Sequence, residues 1–149
     1  MTRTVRFVLP LLLAALLVPS AALAEPLLVK LKEAKMRSGP ATSYDVLWIL
    51  PKGWPLEGLA RYKDWWAVRR ETGHVGWLHN DSLEKGKGAV VVNEKANMRE
   101  GAGTEKKMTY NVPKNYVFKV LDQKENWYKL TDGGAVTGWI YGPLVWVNY

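Results

Sequence analysis

Few side chains in this 149-residue sequence could carry out acid–base or nucleophilic chemistry. Its two histidines, His74 and His79, are not spaced with another His or Cys in the way that metal ligands are. His79, Asp81 and Ser82 have the residue types of a hydrolytic triad, but neighbours within one short polar loop rarely reach the geometry that a nucleophile and its base require. We therefore expect no catalytic residue, no metal site and no cofactor.

The carboxylates and the absence of cysteine also argue against catalysis and metal binding. The sequence has no Cys, which excludes thiol catalysis, thiolate zinc sites and disulfides. A general acid needs burial to raise its pKa, whereas several acidic residues here lie beside turn residues and are expected to be solvated. These carboxylates are Asp64, Glu71, Asp122, Glu125 and Asp132.

The N-terminal residues have the layout of a secretory signal peptide. Arg3 and Arg6 precede an apolar run, residues 7–18, and the small-residue stretch Ala22-Leu23-Ala24 follows it. The run is shorter than the roughly 20 residues that span a bilayer, and no second such run follows. We expect cleavage near Ala24, no transmembrane segment, and a periplasmic or secreted protein. Without Arg3 and Arg6, the balance of charged residues is 19 − 14 = +5.

The sequence repeats itself at a fixed offset. Met98 − Met36 = 62 and Trp139 − Trp77 = 62, and the alignment between these points needs no gap. Fixed-period similarity of this kind indicates a duplicated structural unit. We predict a first module over residues 25–84, a polar, glycine-rich linker over residues 85–88, and a second module over residues 89–149.

Within each module the apolar residues alternate with a period of two, which predicts β-strands. In residues 46–51 one face is expected to be core: Val46, Trp48 and Leu50 in the first module, with the counterparts Met108, Tyr110 and Val112 in the second. Leu47 and Ile49 lie on the other face. Because they are apolar only in the first module, we expect them to face the neighbouring module.

Turn residues separate the predicted strands at matching positions. Gly53 in the sequence PKGW and Asn115 in PKNY are the residue types that most readily adopt a left-handed backbone. Asp132-Gly133-Gly134 is a strong hairpin signal. Short strands, tight turns and no helical period predict an all-β fold.

The order of these motifs resembles the bacterial Src-homology-3-like (SH3b) domain family. The features shared by both copies are a Met-Arg-x-Gly loop, a lysine-containing turn, an aromatic pair and a closing Gly-Trp, which lie at residues 36–39, 52–53, 65–66 and 76–77 and recur at 98–101, 114–115, 127–128 and 138–139. The resemblance implies two tandem small SH3-like β-barrels of five to six strands each. It also implies an exported bacterial protein that binds envelope components or other proteins.

Aromatic residues are the main candidates for a binding surface. Strand parity places Trp66 with Val68 on the core side, so Trp65 and its counterpart Trp127 point to the other face. Tyr44 and Tyr62 are aromatic in the first module only. Aromatic-lined grooves suit extended peptides. The predicted ligand-binding residues are Tyr44, Tyr62, Trp65 and Trp127 for stacking, with Arg37 and Arg99 to position carboxylates.

Three functional hypotheses follow. The first is a non-catalytic exported protein that binds a peptide-containing polymer of the cell wall or envelope, with peptidoglycan as the family-based expectation. The second is a periplasmic adaptor that binds an envelope protein. The third, disfavoured by the poor inventory of catalytic groups, is a cell-wall hydrolase accessory or enzyme. Nucleic acid is not expected as a partner, because export removes the protein from the cytoplasm and acidic residues interrupt each basic run.

Overall fold

The protein is all-β, as the sequence predicts. A computed structural model describes residues 23–149, in which two separate seven-stranded antiparallel sheets follow one another along the chain. Most of the predicted signal peptide, residues 1–22, lies outside the described residues. Across residues 23–149, no helix has the length and apolar character needed to cross a membrane.

The first sheet contains seven strands in the spatial order β3-β2-β6-β5-β4-β1-β7. A short 3₁₀ turn, Asn80–Ser82, connects β6 to β7. The strands are β1 (Glu25–Val29), β2 (Glu33–Arg37), β3 (Val46–Pro51), β4 (Pro55–Tyr62), β5 (Trp65–Arg69), β6 (Val75–His79) and β7 (Leu83–Lys85).

The second sheet repeats this order as β10-β9-β13-β12-β11-β8-β14. Its 3₁₀ turn is Gly142–Leu144. The strands are β8 (Gly88–Val91), β9 (Lys95–Arg99), β10 (Met108–Pro113), β11 (Val117–Lys124), β12 (Trp127–Thr131), β13 (Thr137–Tyr141) and β14 (Val145–Val147). From β2 onward, both bounds of every strand differ by 62 from those of its counterpart, so the offset of the sequence repeat is also the offset of the structure.

Each module has seven strands, where the resemblance implied five or six. The additional short strand follows the 3₁₀ turn: β7 has three residues and pairs with β1, whose other edge pairs with β4. This strand could not be predicted from the sequence, because three residues are too few for an alternation of apolar and polar side chains to be recognised.

One apolar cluster fills each module. Trp66 and Val68 are buried, as strand parity predicts, and they meet Met36 and Leu78 from β2 and β6. Gly76, which belongs to the Gly-Trp motif, lies on β6 next to the pair that Trp77 forms with Arg37 of β2. A Cβ atom there would be 2.9 Å from the Arg37 carbonyl oxygen. The motif therefore needs glycine because of this close approach.

The left-handed turns lie where the turn residues predict them. Gly53 has φ 83° and Asn115 has φ 68°. Lys63 and Glu125 each have φ 52° at the β4–β5 turn and its counterpart. Gly133, in the predicted β12–β13 hairpin, has φ 83°.

The prediction for the core face of β3 is wrong for part of the strand. Leu50 and Val112 are buried, but three residues predicted to be core are exposed: Val46 by 43%, Met108 by 51% and Tyr110 by 40%. The β2–β3 ladder shifts register between Met36 and Arg37, and the β9–β10 ladder shifts at the equivalent place. Because a bulge adds one residue to one strand, the residues beyond it lose their alignment with the core.

Leu47 and Ile49 do not face the neighbouring module as expected. They lie on β3, at one edge of the first sheet, with exposures of 41% and 58%. The contact between the modules is made instead by strands that the sequence pattern did not single out.

Strand β8 joins the two modules because both of its faces are buried. Ala89 and Val91 belong to the core of the second module, whereas Val90 belongs to the core cluster of the first. Trp146 packs against the first core from β14. Only Gly86 and Lys87 lie between β7 and β8, so the chain has little freedom to separate these surfaces.

The side chain of Asn148 is fully buried and hydrogen-bonded in this contact. Its Oδ1 accepts the Gly88 N–H at 2.7 Å, and its Nδ2 lies 2.7 Å from the Leu27 carbonyl oxygen and 3.0 Å from that of Leu56. Leu27 and Leu56 are paired across β1 and β4 of the first module. A C-terminal residue of the second module thus satisfies backbone groups of the first.

We expect Asn148→Ala to lower the free energy of unfolding by about 2–4 kcal/mol, because it leaves buried backbone groups without partners. Urea unfolding followed by tryptophan fluorescence measures this. The matched control is Asn111→Ala, which removes an exposed amide pair with Asn97 and should cost less than about 1 kcal/mol. Equal losses for the two variants would contradict a bridging role for Asn148.

Candidate functional site

Three side chains form a row across one end of the first sheet. Tyr62 on β4 is directly opposite Trp65 on β5, which is directly opposite His79 on β6. Directly opposed residues of antiparallel strands project to the same face. The rings of Trp65 and His79 meet edge to face, with centroids 5.3 Å apart and an interplanar angle of 84°. Tyr62 is 52% exposed.

A cavity of about 250 Å³ adjoins this row, and we call it the first-module groove. Trp65 and His79 line it, together with two cationic side chains, Lys35 and Arg37, and one carboxylate, Glu33. The groove therefore combines an aromatic wall with basic groups. This is a surface on which an extended chain with carboxylates could lie.

Arg37 organises the loop at the rim of the groove. Its Nη1 donates to the carbonyl oxygens of Thr42, at 3.0 Å, and Tyr44, at 2.9 Å. In the second module, Nη1 of Arg99 donates to the carbonyl oxygen of Lys106, the counterpart of Tyr44, at 2.8 Å. Both arginines therefore hold the loop between β2 and β3, or its equivalent, in place.

Tyr44 lies outside the lining of the groove. Its ring packs on Gly39, where a Cβ atom would come within 2.5 Å of it. The ring is 48% exposed. Tyr44 therefore belongs to the loop that Arg37 holds, and the structure does not bring it into the row with Tyr62 and Trp65.

The second module contains a more basic version of the row. Trp127 is opposite Tyr141, with ring centroids 5.4 Å apart. Lys124 is opposite Trp127 in the place of Tyr62. Because Lys106 also replaces Tyr44, the second module exchanges two exposed aromatic rings for lysines.

A second aromatic cluster in the first module was not predicted as a unit. The Arg70 guanidinium lies 5.2 Å from the ring centre of Trp48 and 5.6 Å from that of Trp54. Arg70 Nη2 also bonds Glu71 Oε1 at 2.9 Å, while Trp54 Nε1 donates to Glu71 Oε2 at 3.1 Å. The recurrence of aromatic residues at positions 48 and 54 was the available signal, but it gave no hint of the ion pair.

In the second module the position of Arg70 has a residue of opposite charge. Asp132 occupies the position equivalent to Arg70, and the Tyr116 hydroxyl donates to its Oδ2 at 2.9 Å. The Gly134 N–H and this hydroxyl hold the pKa of Asp132 below its ordinary value. The same hydrogen bond raises the pKa of Tyr116.

The residues considered for catalysis are held in other contacts. His79 Nδ1 accepts the Asp81 N–H at 3.3 Å and lies 3.5 Å from Asp81 Oδ2, while the ring packs against Trp65. Ser82 lines the first-module groove. Within residues 23–149, no cluster of three His, Cys, Asp or Glu side chains could hold a metal ion.

Comparison with protein families identifies both modules. Two family models described as "Bacterial SH3 domain" match the chain, one over residues 30–85 and the other over residues 94–145. The chain therefore contains two bacterial SH3 domains in tandem, as the resemblance of its motifs implied.

A curated protein of Bacillus subtilis (strain 168), named "Putative N-acetylmuramoyl-L-alanine amidase YrvJ", is similar to this chain. The two are 27% identical over 124 residues, which cover 76% of this chain and 24% of that protein. This chain thus spans about a quarter of the length of that relative.

Two solved structures show weaker similarity. NlpC2 from Trichomonas vaginalis is 18% identical, with a TM-score of 0.38 over 83% of this chain and 48% of that one. An NlpC/P60 family protein from Bacillus cereus ATCC 10987 is 12% identical, with a TM-score of 0.39 over 82% of this chain and 56% of that one.

We expect Arg37→Ala to loosen residues 38–45, because the loop loses two hydrogen bonds from a charged donor. Backbone hydrogen–deuterium exchange in this loop should accelerate about fivefold to tenfold, corresponding to about 1 kcal/mol of local stability. The control is Lys35→Ala, which removes an exposed cation that lines the same groove. Unchanged exchange in the Arg37 variant would show that the arginine does not organise the loop.

Proposed function

We propose that this tandem pair of bacterial SH3 domains is a non-catalytic exported protein that binds a peptide-containing polymer of the cell wall, with peptidoglycan as the expected ligand. The first-module groove is the main binding surface in this proposal. Tyr62 and Trp65 supply aromatic faces for an extended chain, and Lys35 and Arg37 attract its carboxylates. Trp127 and Arg99 form the corresponding surface of the second module.

The observation that carries this proposal is the row formed by Tyr62, Trp65 and His79. Aromatic rings that remain exposed on a small domain commonly mark interaction sites, since burying them in the core would be favourable. Here the pairing of β4, β5 and β6 aligns three rings beside a groove with basic groups. A flat ring can pack against an extended peptide backbone while its polar edge forms hydrogen bonds.

Charge and similarity add support. The chain has a formal net charge of +7, and the predicted mature protein has +5, so attraction to an anionic polymer would raise the rate and strength of association. The curated relative is named "Putative N-acetylmuramoyl-L-alanine amidase", but this chain corresponds to about a quarter of it. We therefore propose that this chain binds the wall, and we do not propose that it has amidase activity.

Co-sedimentation with purified cell wall tests this function. Protein expressed from Glu25, which retains every described strand, should pellet with the wall at low salt and less at moderate salt. Tyr62→Ala should weaken binding about tenfold, because an exposed aromatic contact is lost without a change in the core. Tyr110→Ala, an exposed tyrosine on β10 away from the row, should bind like the unmodified protein. Failure of the unmodified protein to pellet at either salt concentration would rule out the wall as its ligand.

A second candidate function is an adaptor that binds an envelope protein through β3. This strand lies at the edge of the first sheet and exposes Val46, Leu47 and Ile49. An edge strand offers unpaired backbone groups to a partner strand, and exposed apolar side chains would strengthen such pairing. An interface of this kind would depend less on salt than attraction to a charged polymer.

Ile49→Lys distinguishes this candidate, because a charge on an edge strand opposes strand addition. If β3 is the interface, a partner captured from envelope extract should be lost in Ile49→Lys. It should be retained in Leu121→Lys, which places the same charge at an exposed apolar position on an inner strand of the second sheet. Equal capture by both variants would exclude β3 as the interface.

A further inference from the structure

The second module contains a larger cavity away from the aromatic row. Its volume is about 400 Å³, and it lies between the β11–β12 turn and the C-terminal strand β14. This size falls within the range of about 300–1,000 Å³ that is usual for small-molecule sites. Its lining includes Gln123, Asn126, Tyr128, Pro143, Trp146 and Tyr149.

In the first module, larger side chains fill most of the equivalent cavity. There the equivalent cavity has a volume of about 90 Å³. The Arg61 guanidinium stacks over the Trp66 ring at 5.1 Å, and Trp66 Nε1 donates to Asn80 Oδ1. In the second module the counterparts of Arg61 and Asn80 are Gln123 and Gly142, which are both smaller.

The exchanges also remove charge from the lining. The first cavity includes Arg61, Glu84 and Lys85. Their counterparts in the second are Gln123, Trp146 and Val147, which are all uncharged. Glu125 is the one charged side chain among the residues that line the larger cavity. The Lys87 ammonium lies over the Tyr149 ring at 5.5 Å, so one anionic and one cationic side chain border an otherwise uncharged lining. Such a lining suits a ligand without net charge.

The groups in the cavity combine aromatic faces with neutral hydrogen-bonding groups. Tyr128 and Tyr149 lie with their ring centroids 6.3 Å apart and are joined through their hydroxyls. Burial and this hydrogen bond raise the pKa of Tyr149, so its hydroxyl stays protonated. The amides of Gln123 and Asn126 can each donate and accept hydrogen bonds.

We infer that this cavity is a binding site for a neutral sugar ring. A pyranose ring has a C–H face that packs on aromatic rings and a rim of hydroxyls that need both donors and acceptors, which the tyrosines and amides provide. With a volume of about 400 Å³, the cavity has room for such a ring. The inference rests on the proposed function, because the sugar would be part of the wall polymer. It concerns a different surface from the first-module groove.

The test uses a tetramer of β-1,4-linked N-acetylglucosamine as the probe, added to ¹⁵N-labelled protein expressed from Glu25. The side-chain amide signals of Gln123 and Asn126 should shift as the tetramer is titrated. Absence of these shifts would overturn the inference. A proline-rich decapeptide that shifts the same signals when the tetramer does not would also overturn it, in favour of a peptide site.

Two variants locate the site. Gln123→Arg introduces the group that fills the equivalent cavity of the first module and should weaken tetramer binding about tenfold or more. Tyr149→Ala removes an exposed wall at the C-terminus and should weaken it to a similar extent. Unchanged affinity in both variants would overturn the inference.

The control is Ala135→Arg, which adds the same charge at an exposed position at the opposite end of the β12–β13 hairpin. Its affinity for the tetramer should match that of the unmodified protein. Tyr62→Ala should also leave tetramer binding unchanged, because Tyr62 does not line this cavity. If the unmodified protein binds the tetramer but does not pellet with the wall, the proposed function fails and the sugar site stands. If it pellets with the wall but the Gln123 and Asn126 signals do not shift, only the sugar site fails.

Discussion

The burial of β8 on both faces is the constraint on which the rest of the structure depends. Val90 completes the core of the first module while Ala89 and Val91 complete that of the second. A domain of about 60 residues has barely enough core to fold alone, so sharing a strand adds apolar burial to both halves. Asn148 makes the contact specific, because its side chain satisfies backbone groups that the close approach would otherwise leave buried without partners. The two modules are therefore packed against each other through a strand that both cores share.

Comparison of the two modules distinguishes residues that the fold requires from residues that give each module its own surface. The left-handed turns at Gly53 and Asn115, the close approach at Gly76 and Gly138, and the loop-holding arginines Arg37 and Arg99 serve the same purpose in both copies. Exposed positions have diverged in size and charge, and the pairs that show this most clearly are Tyr62/Lys124, Arg70/Asp132 and Arg61/Gln123. With the fold secured by the shared positions, the two modules can present different chemistry: a basic aromatic groove in the first and an uncharged aromatic cavity in the second.

Much of the fold was predictable from the sequence because the repeat supplied a second, independent copy of every pattern. The all-β class, the offset of 62, the turns and the burial of Trp66 all followed from it. The exposure of Val46 and Met108, at the start of β3 and β10, did not, because a bulge changes the phase of alternation and leaves no mark in the residue pattern. The contact between the modules was also missed. Val90 and Asn148 are unremarkable residue types, and only the three-dimensional arrangement shows that one is shared between cores and the other bridges them. Of the candidate binding residues, the structure groups Tyr62 with Trp65 and gives Arg37 and Arg99 a role in their own loops. Whether these residues bind a ligand remains a prediction.

The rigid union of the two modules is tested most directly by residual dipolar couplings of the backbone amides in a weakly aligned sample. Couplings from residues 25–85 and from residues 88–148 can each be fitted to an alignment tensor. A pair of modules joined through β8 and Asn148 predicts one tensor, with the same magnitude and orientation from both sets. Two tensors that differ in magnitude would show that the modules reorient independently, and would contradict a shared core.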